Sequence, residues 1–344
     1  MITIHENISL KNYNTLRIDA QAKFFVKIEN AEELQELMQN EIWNQYPFFI
    51  LWGGANILFS KDRDGIIIKN EMLGKEIIEE DENTVLLKVG AGELWPALVN
   101  SAVDQNYGGL ENLAFIPWSV GASAVGNIWA YGSEAQNTIE EVEYVDLDTK
   151  EIKVVKNAEC EFGYRTSIFK ESLKWKVLIT SVSFRLKKVN ENYIFNLEYQ
   201  DIQKAMTEEW LTEENIQLKD IPRLLVTIRT WKLNDPRQTG SAGSFFKNPV
   251  IPESEYLTLK ETYPNIIGHA FTDSQIKLSA WQLIDLSWLK WHTQGNVGVS
   301  STHALVLINL GDATWKEILS LSNHVISEVK KNFGVILEPE VIII

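Results

Sequence analysis

Five short stretches combine residue types that could do chemistry. In Leu51-Trp52-Gly53-Gly54-Ala55-Asn56-Ile57 an apolar run breaks at two glycines and then resumes. Such a turn can aim successive backbone N–H groups at a phosphate, although an ordinary tight turn uses the same residues. From Gly108 to Gly132 small residues crowd a long segment with little helical or strand period. An unpatterned loop of that length usually has a function, and small side chains let backbone approach a ligand closely. In Gly163-Tyr164-Arg165-Thr166, Arg165 offers a fixed cation for an oxyanion, or simply a surface ion pair. In Gly243-Ser244-Phe245-Phe246-Lys247-Asn248-Pro249 a serine hydroxyl stands between glycine and an aromatic pair, with Lys232, Asp235 and Arg237 just upstream. It is not a nucleophile elbow, because nothing places a base beside it. Finally, Leu337-Glu338-Pro339-Glu340-Val341 sets two carboxylates at the start of an apolar strand, where one could donate a proton or orient a group.

The elements that must position these groups are legible from period and capping. Asn30 with Glu33 starts a helix whose apolar stripe is Leu34, Leu37 and Met38. Thr314 with Glu317 starts another, with Ile318, Leu321, Val325 and Val329 at helical spacing and Gly334 as its stop. Leu94 to Val103 reads as a third, Pro96 sitting in its first turn. Thr84 to Val89, Val142 to Leu147, Ile152 to Val155, Val177 to Leu186, Ala304 to Asn309 and Val341 to Ile344 read as strands, with a hairpin turn at Asp148-Thr149-Lys150. Helices and strands mix without regular βαβ alternation, so the expected class is α+β. The acidic stretch 207–220 is the best candidate linker, or else a solvated helix face.

Composition narrows the function. The 344 residues carry a net charge of -15, and no Lys/Arg cluster supplies the basic face that a nucleic-acid binder needs. No apolar stretch approaches membrane-spanning length, and no apolar leader run follows Met1. The lone cysteine, Cys160, excludes an internal disulfide and suits a reducing, cytoplasmic setting. The five histidines show no metal-ligand spacing, so no metal is expected.

Taken in order along nearly the whole chain, these stretches resemble the UDP-N-acetylenolpyruvoylglucosamine reductase family. The resemblance rests on Asn14-Thr15-Leu16, Gly53-Gly54-Ala55-Asn56, Val89-Gly90-Ala91-Gly92, Gly109-Leu110-Glu111-Asn112-Leu113, Ile116-Pro117 and Phe162-Gly163-Tyr164-Arg165. It rests above all on the Gly243 to Pro249 string and the Leu337 to Val341 end. Tyr199 matches the substrate-capping tyrosine loop of the longer type. The family implies a three-domain α+β flavoprotein of the vanillyl-alcohol-oxidase type with a separate substrate domain. Residues 1–69 and 70–218 would bind FAD, residues 219–334 would hold the UDP-sugar, and strand 335–344 would return to the FAD-binding part. It implies a monomer in which NADPH reduces FAD and the flavin passes a hydride to the enolpyruvyl group. Arg165 and Glu340 would stabilise the resulting enolate and Ser244 would protonate it. Gly53, Gly54, Ala55, Asn56, Ile116, Pro117, Ser119, Gly121, Ser123, Asn127 and Ala130 would contact FAD. Tyr164, Tyr199, Lys232 and Asn248 would hold the nucleotide.

The departures from the family pattern gather at the cofactor loops. Trp52, Trp118, Trp129, Trp288 and Trp291 stand where glycine is expected, and Trp231 and Trp281 alter neighbouring segments. Ala55 replaces a serine, Ala124 a proline, Asn234 alters the segment before Asp235, and Ser300, Ser301 and His303 replace another usual run. Indoles at glycine positions would occupy flavin volume. The sequence therefore leaves three readings: a working reductase with its indoles turned aside, a binder of another flat ligand on the same scaffold, or an inert scaffold with a filled pocket.

Overall fold

The computed structural model describes residues 2–232 and 239–344, except for the side chains of 230–232. Among them are the expected helices. Asn30 caps Ala31–Gln39 by accepting from the Glu33 N–H, and Leu34, Leu37 and Met38 face inward. Thr314 and Glu317 form a reciprocal capping box on Trp315–Phe333, which ends at Gly334 with φ +70°. Trp95–Asp104 is the third, with proline in its first turn.

The chain divides into two compact units. One comprises residues 1–8, 22–53 and 63–229; the other comprises 9–21, 54–62 and 230–344. The expected boundary at 69/70 falls inside the first. The acidic stretch 207–220 also lies there rather than between units, held by Arg223 paired with Glu209 and Asp220.

The first unit holds two main sheets and a two-stranded one, Trp129–Ala130 with Ser133–Glu134. In the smaller, Gln21–Ile28 and Phe48–Leu51 both run parallel to Arg63–Asn70, and the crossover between them carries Ala31–Gln39. In the larger, the strands follow the order Ile152–Lys156, Ile139–Asp146, Val177–Lys188, Thr84–Gly90, Lys75–Glu80, all antiparallel. Val177–Lys188 is central and buried along most of its length, which explains its weak polar alternation. Trp95, Leu98, Val99 and Ala102 pack on it with Phe184 and Val182.

The Gly108 to Gly132 stretch is not one loop. It contains a 3-10 turn at Glu111–Leu113 and a helix, Val120–Gly126. That helix, Val-Gly-Ala-Ser-Ala-Val-Gly, buries five of its small residues and so presents no amphipathic contrast for periodicity to detect.

In the second unit, Gly240–Ser244, Val306–Asn309, Val297–Val299 and Thr293–Gln294 form an antiparallel sheet. The inward face of Trp315–Phe333 packs into the same core as Phe245, Val299 and Leu307. Ile342–Ile343 runs parallel to Ile57–Leu58, so the final strand returns to the segment that follows the first glycine pair.

Candidate active site

In the second unit the first glycine turn is fixed by the Asn14-Thr15-Leu16 segment. The buried Asn14 side chain donates to the Leu10 and Ile18 carbonyls and accepts from the Ile18 N–H. The Thr15 N–H donates to the Gly54 carbonyl at 3.0 Å. Gly54 has φ +65°, and a Cβ there would stand 2.0 Å from the Tyr13 carbonyl oxygen, so only glycine fits. No acceptor is found among the described residues for the N–H groups of Gly54, Ala55 and Asn56. The Asn56 side chain donates to the Glu340 carbonyl. Thr15 Oγ1 is buried without a partner among the described residues. Three successive open amides, a glycine with no room for a side chain and an orphaned hydroxyl fit the diphosphate of a dinucleotide such as FAD.

In the same unit the serine string and the carboxylate end form one structure. The Glu340 N–H donates to the Phe245 carbonyl and the Lys247 N–H to the Glu338 carbonyl, both closely. Phe246 and Pro339 form a bridge, and Lys247 Nζ pairs with Glu338 at 3.2 Å. Ser244 and Glu340 are both half-buried, on adjoining backbones. Asn248 Oδ1 accepts from the Ala280 N–H, which ties the string to the helix Ala280–Leu286.

Arg165 belongs to the first unit. Gly163 and Thr166 exchange backbone hydrogen bonds of 3.1 and 3.2 Å, with Tyr164 and Arg165 at the corners of the turn. Arg165 has φ +58°, a strained conformation for a non-glycine residue, and Lys170 Nζ holds its carbonyl. The turn hangs from Asn127, whose side chain donates to the Gly163 carbonyl and to Glu134 while accepting from the Gln136 N–H. Asn127 thus positions the arginine turn. Ser119 caps Val120–Gly126, and Ser123 bonds the Val120 carbonyl, so both hydroxyls are turned into the protein. The Val120 and Gly121 N–H groups are taken by the Glu93 and Ala91 carbonyls. Of the other expected cofactor contacts, Ile116 is buried, Pro117 is exposed, and Gly53 lies against the backbone of Pro117, Trp118 and Ser119.

The tryptophans separate into groups. A Cβ on Gly121 would stand 2.5 Å from the Trp52 indole, and one on Gly126 would stand 2.9 Å from the Trp118 indole. Each ring therefore covers a glycine of the same helix. Lys69 holds the Trp52 carbonyl at 2.8 Å, and burial pushes its ammonium below the usual lysine range. Trp129, in a short strand with Ala130 and opposite Glu134 of the next, meets the Tyr199 ring edge-on at 6.5 Å. Tyr199 also meets Tyr131, at 5.2 Å. Burial raises both phenols above their usual range, and the Tyr131 hydroxyl meets Arg229, whose guanidinium burial lowers. Trp281 packs on the core of the second unit, near His303 and Lys290. Trp288 and Trp291 are 92% and 70% exposed: the structure sets them on the surface, not in a pocket. Their φ values are +60° and +73°, a left-handed backbone that favours glycine. Asn234, Asp235 and Arg237 lie outside the described residues, as do the side chains of Trp231 and Lys232.

Glu111, Asn112, Tyr193 and Asn196 form a polar cluster in the first unit that sequence reasoning did not assign. The one signal was Glu-Asn set between Leu110 and Leu113, an acid and an amide inside an apolar string. Among the described residues no group of three or more His, Cys, Asp or Glu could hold a metal, and no helix is long and apolar enough to cross a membrane.

A profile described as an FAD binding domain matches residues 22–154, and one described as the C-terminal domain of UDP-N-acetylenolpyruvoylglucosamine reductase matches residues 235–344. The reductase of that name from Flavobacterium johnsoniae is 40% identical over 341 residues, 99% of each chain. That from Chromobacterium violaceum is 38% identical over 98% of each. The crystal structure of the reductase from Thermus caldophilus superposes with a TM-score of 0.70, covering 100% of this chain and 99% of that one at 24% identity, a likeness of fold. Identity sustained from end to end favours the reductase over a repurposed scaffold. The chain belongs to the UDP-N-acetylenolpyruvoylglucosamine reductase family.

Proposed function

We propose that this protein is a cytoplasmic, monomeric, NADPH-dependent flavoenzyme that reduces UDP-N-acetylglucosamine enolpyruvate to UDP-N-acetylmuramate, a precursor of peptidoglycan. The observation that carries the reading is the pairing of the segment that follows Ser244 with the one that carries Glu340, through the Glu340 N–H and the Phe245 carbonyl, in a chain 40% identical to such a reductase along its length.

The open amides of Gly54, Ala55 and Asn56 would hold the FAD diphosphate, with Thr15 Oγ1 beside them. FAD, once bound and reduced by NADPH, supplies the hydride that adds to C3 of the enolpyruvyl group. The protein handles the charge and proton that follow. Negative charge develops at C2 and on the adjoining carboxylate, where the Arg165 guanidinium, fixed at the corner of a two-residue turn, lowers the barrier. Glu340 assists at the same enolate. A carbanionic C2 is basic enough to take a proton from the Ser244 hydroxyl, and solvent then reprotonates the serine. Tyr164, Tyr199, Lys232 and Asn248 hold the nucleotide, with Tyr199 braced by Tyr131 and Trp129.

The test is direct. The purified protein, as isolated or after adding FAD, should show flavin absorption. It should oxidise NADPH only when the enolpyruvyl substrate is present, giving a product heavier by two hydrogens. A colourless protein that leaves NADPH untouched after FAD addition would refute the proposal.

A further inference from the structure

The Gly109-Leu110-Glu111-Asn112-Leu113 string takes no part in the reaction just described, yet its two polar side chains are among the most buried on the chain, at 4% and 2% exposure. A buried carboxylate is costly unless strong donors meet it. Glu111 has two: the Gly109 N–H on Oε2 and the Tyr193 hydroxyl on Oε1 at 2.7 Å. Burial first, and the Glu111 charge second, push the Tyr193 hydroxyl above its ordinary value, so it stays a donor. The Tyr193 ring fills the space over Gly108, where a Cβ would stand 2.5 Å from it.

Asn112 acts three residues farther along the partner segment. Its side-chain N–H groups donate to the Asn196 carbonyl at 2.8 Å and to the Tyr131 carbonyl at 3.0 Å. Asn196 in turn donates to the Gly132 carbonyl. One amide thus ties together the backbones that carry Tyr131 and Tyr199, whose rings meet edge-on. The base of the segment is closed separately, by Asn106 and Val189 exchanging hydrogen bonds. Tyr199 then sits at the start of the helix Gln200–Glu208.

We propose that Glu111 and Asn112 form a latch, closed by Tyr193 and Asn196, that fixes the tyrosine segment and thereby sets the affinity for the nucleotide sugar. They are positioning residues acting through Tyr199, and the inference rests on the function proposed above. A latch made of a buried carboxylate and a phenol keeps the segment ordered before substrate arrives, so its ordering cost is not charged against binding.

The test uses the full chain with Tyr193→Phe, which keeps the ring over Gly108 and removes only the hydroxyl, and Asn196→Ala. Three readouts are taken: steady-state kinetics, calorimetric titration with UDP-N-acetylglucosamine, and amide hydrogen exchange. In Tyr193→Phe the KM for the enolpyruvyl substrate and the Kd for UDP-N-acetylglucosamine should rise about ten-fold, the loss expected for one charge-assisted hydrogen bond. The kcat should stay within about two-fold, because nothing at the reacting atoms changes. NADPH reduction of the flavin without nucleotide should be unaltered, and exchange should quicken in residues 190–199 alone. Asn196→Ala should repeat the pattern. Faster exchange in that segment with unchanged KM and Kd would overturn the inference, and so would faster exchange throughout the chain with kcat and KM falling together. If the wild-type protein shows no turnover, the reductase reading fails, while titration and exchange still decide the latch; wild-type protein that does not bind the nucleotide sugar overturns the latch as well.

Discussion

Trp288 gives the cleanest measure of what an indole costs at a glycine position. It follows the helix Ala280–Leu286 by two residues, with φ +60°, and its N–H donates to the Asp285 carbonyl. Its side chain is 92% exposed, so removing it forfeits almost no burial. A residue with a Cβ in the left-handed region carries about 1–2 kcal/mol of strain. Glycine relieves this but adds about 0.5–1 kcal/mol of unfolded-chain entropy. Trp288→Gly should therefore stabilise by about 0.5–1 kcal/mol, raising Tm by roughly 1 °C. Trp288→Ala keeps the Cβ and hence the strain, and should stay within about 0.5 kcal/mol of the parent. Trp291, at φ +73° and 70% exposed, should behave alike. Thermal and urea unfolding of both glycine and alanine variants make the assay. Equal midpoints for the two replacements at position 288, or a lower midpoint for glycine, would show that the backbone is not what the indole strains.

The other expectations are separate in place and in kind. Gly54→Ala drives a Cβ to 2.0 Å from the Tyr13 carbonyl oxygen in a positive-φ turn, and should cost about 3 kcal/mol or more, read by urea unfolding. Asp146 is held down to about 2, first by Lys153 and then by the Thr149 N–H. A folded value below the unfolded one, about 3.9, means that its contribution is full above pH 4 and is lost as pH falls toward 2. The Tm gap between the parent and Asp146→Ala should accordingly shrink between pH 4 and pH 2; a gap that persists at pH 2 would contradict the assignment.

Much of the fold was legible because its signals are local. Asn30 and Thr314 announce helices through groups three residues away, and Gly334 ends one by its own φ. The central strand Val177–Lys188 was visible as a β-branched run. The helix Val120–Gly126 was not, because alanine and glycine carry no hydrophobic contrast and its burial depends on a sheet far away in sequence. In the site, the Ser244 and Glu340 strings were recognisable one by one, but the hydrogen bond from the Glu340 N–H to the Phe245 carbonyl spans too many residues for any spacing rule. Asn127 read as a ligand contact, and in the structure its side-chain amide holds the arginine turn, Glu134 and Gln136.

The tryptophans show where that limit lies in physical terms. A glycine-requiring position is a property of backbone torsion, and of the five positions where glycine was expected only 288 and 291 have positive φ. The direction of the side chain that replaces glycine is a property of the surrounding volume, which sequence spacing does not encode. One substitution type therefore has two outcomes. At 288 and 291 the indole projects from the surface and only the backbone bears the cost. At 52 and 118 it finds space over Gly121 and Gly126, glycines that remain in the same short helix, and packs against the first unit's core.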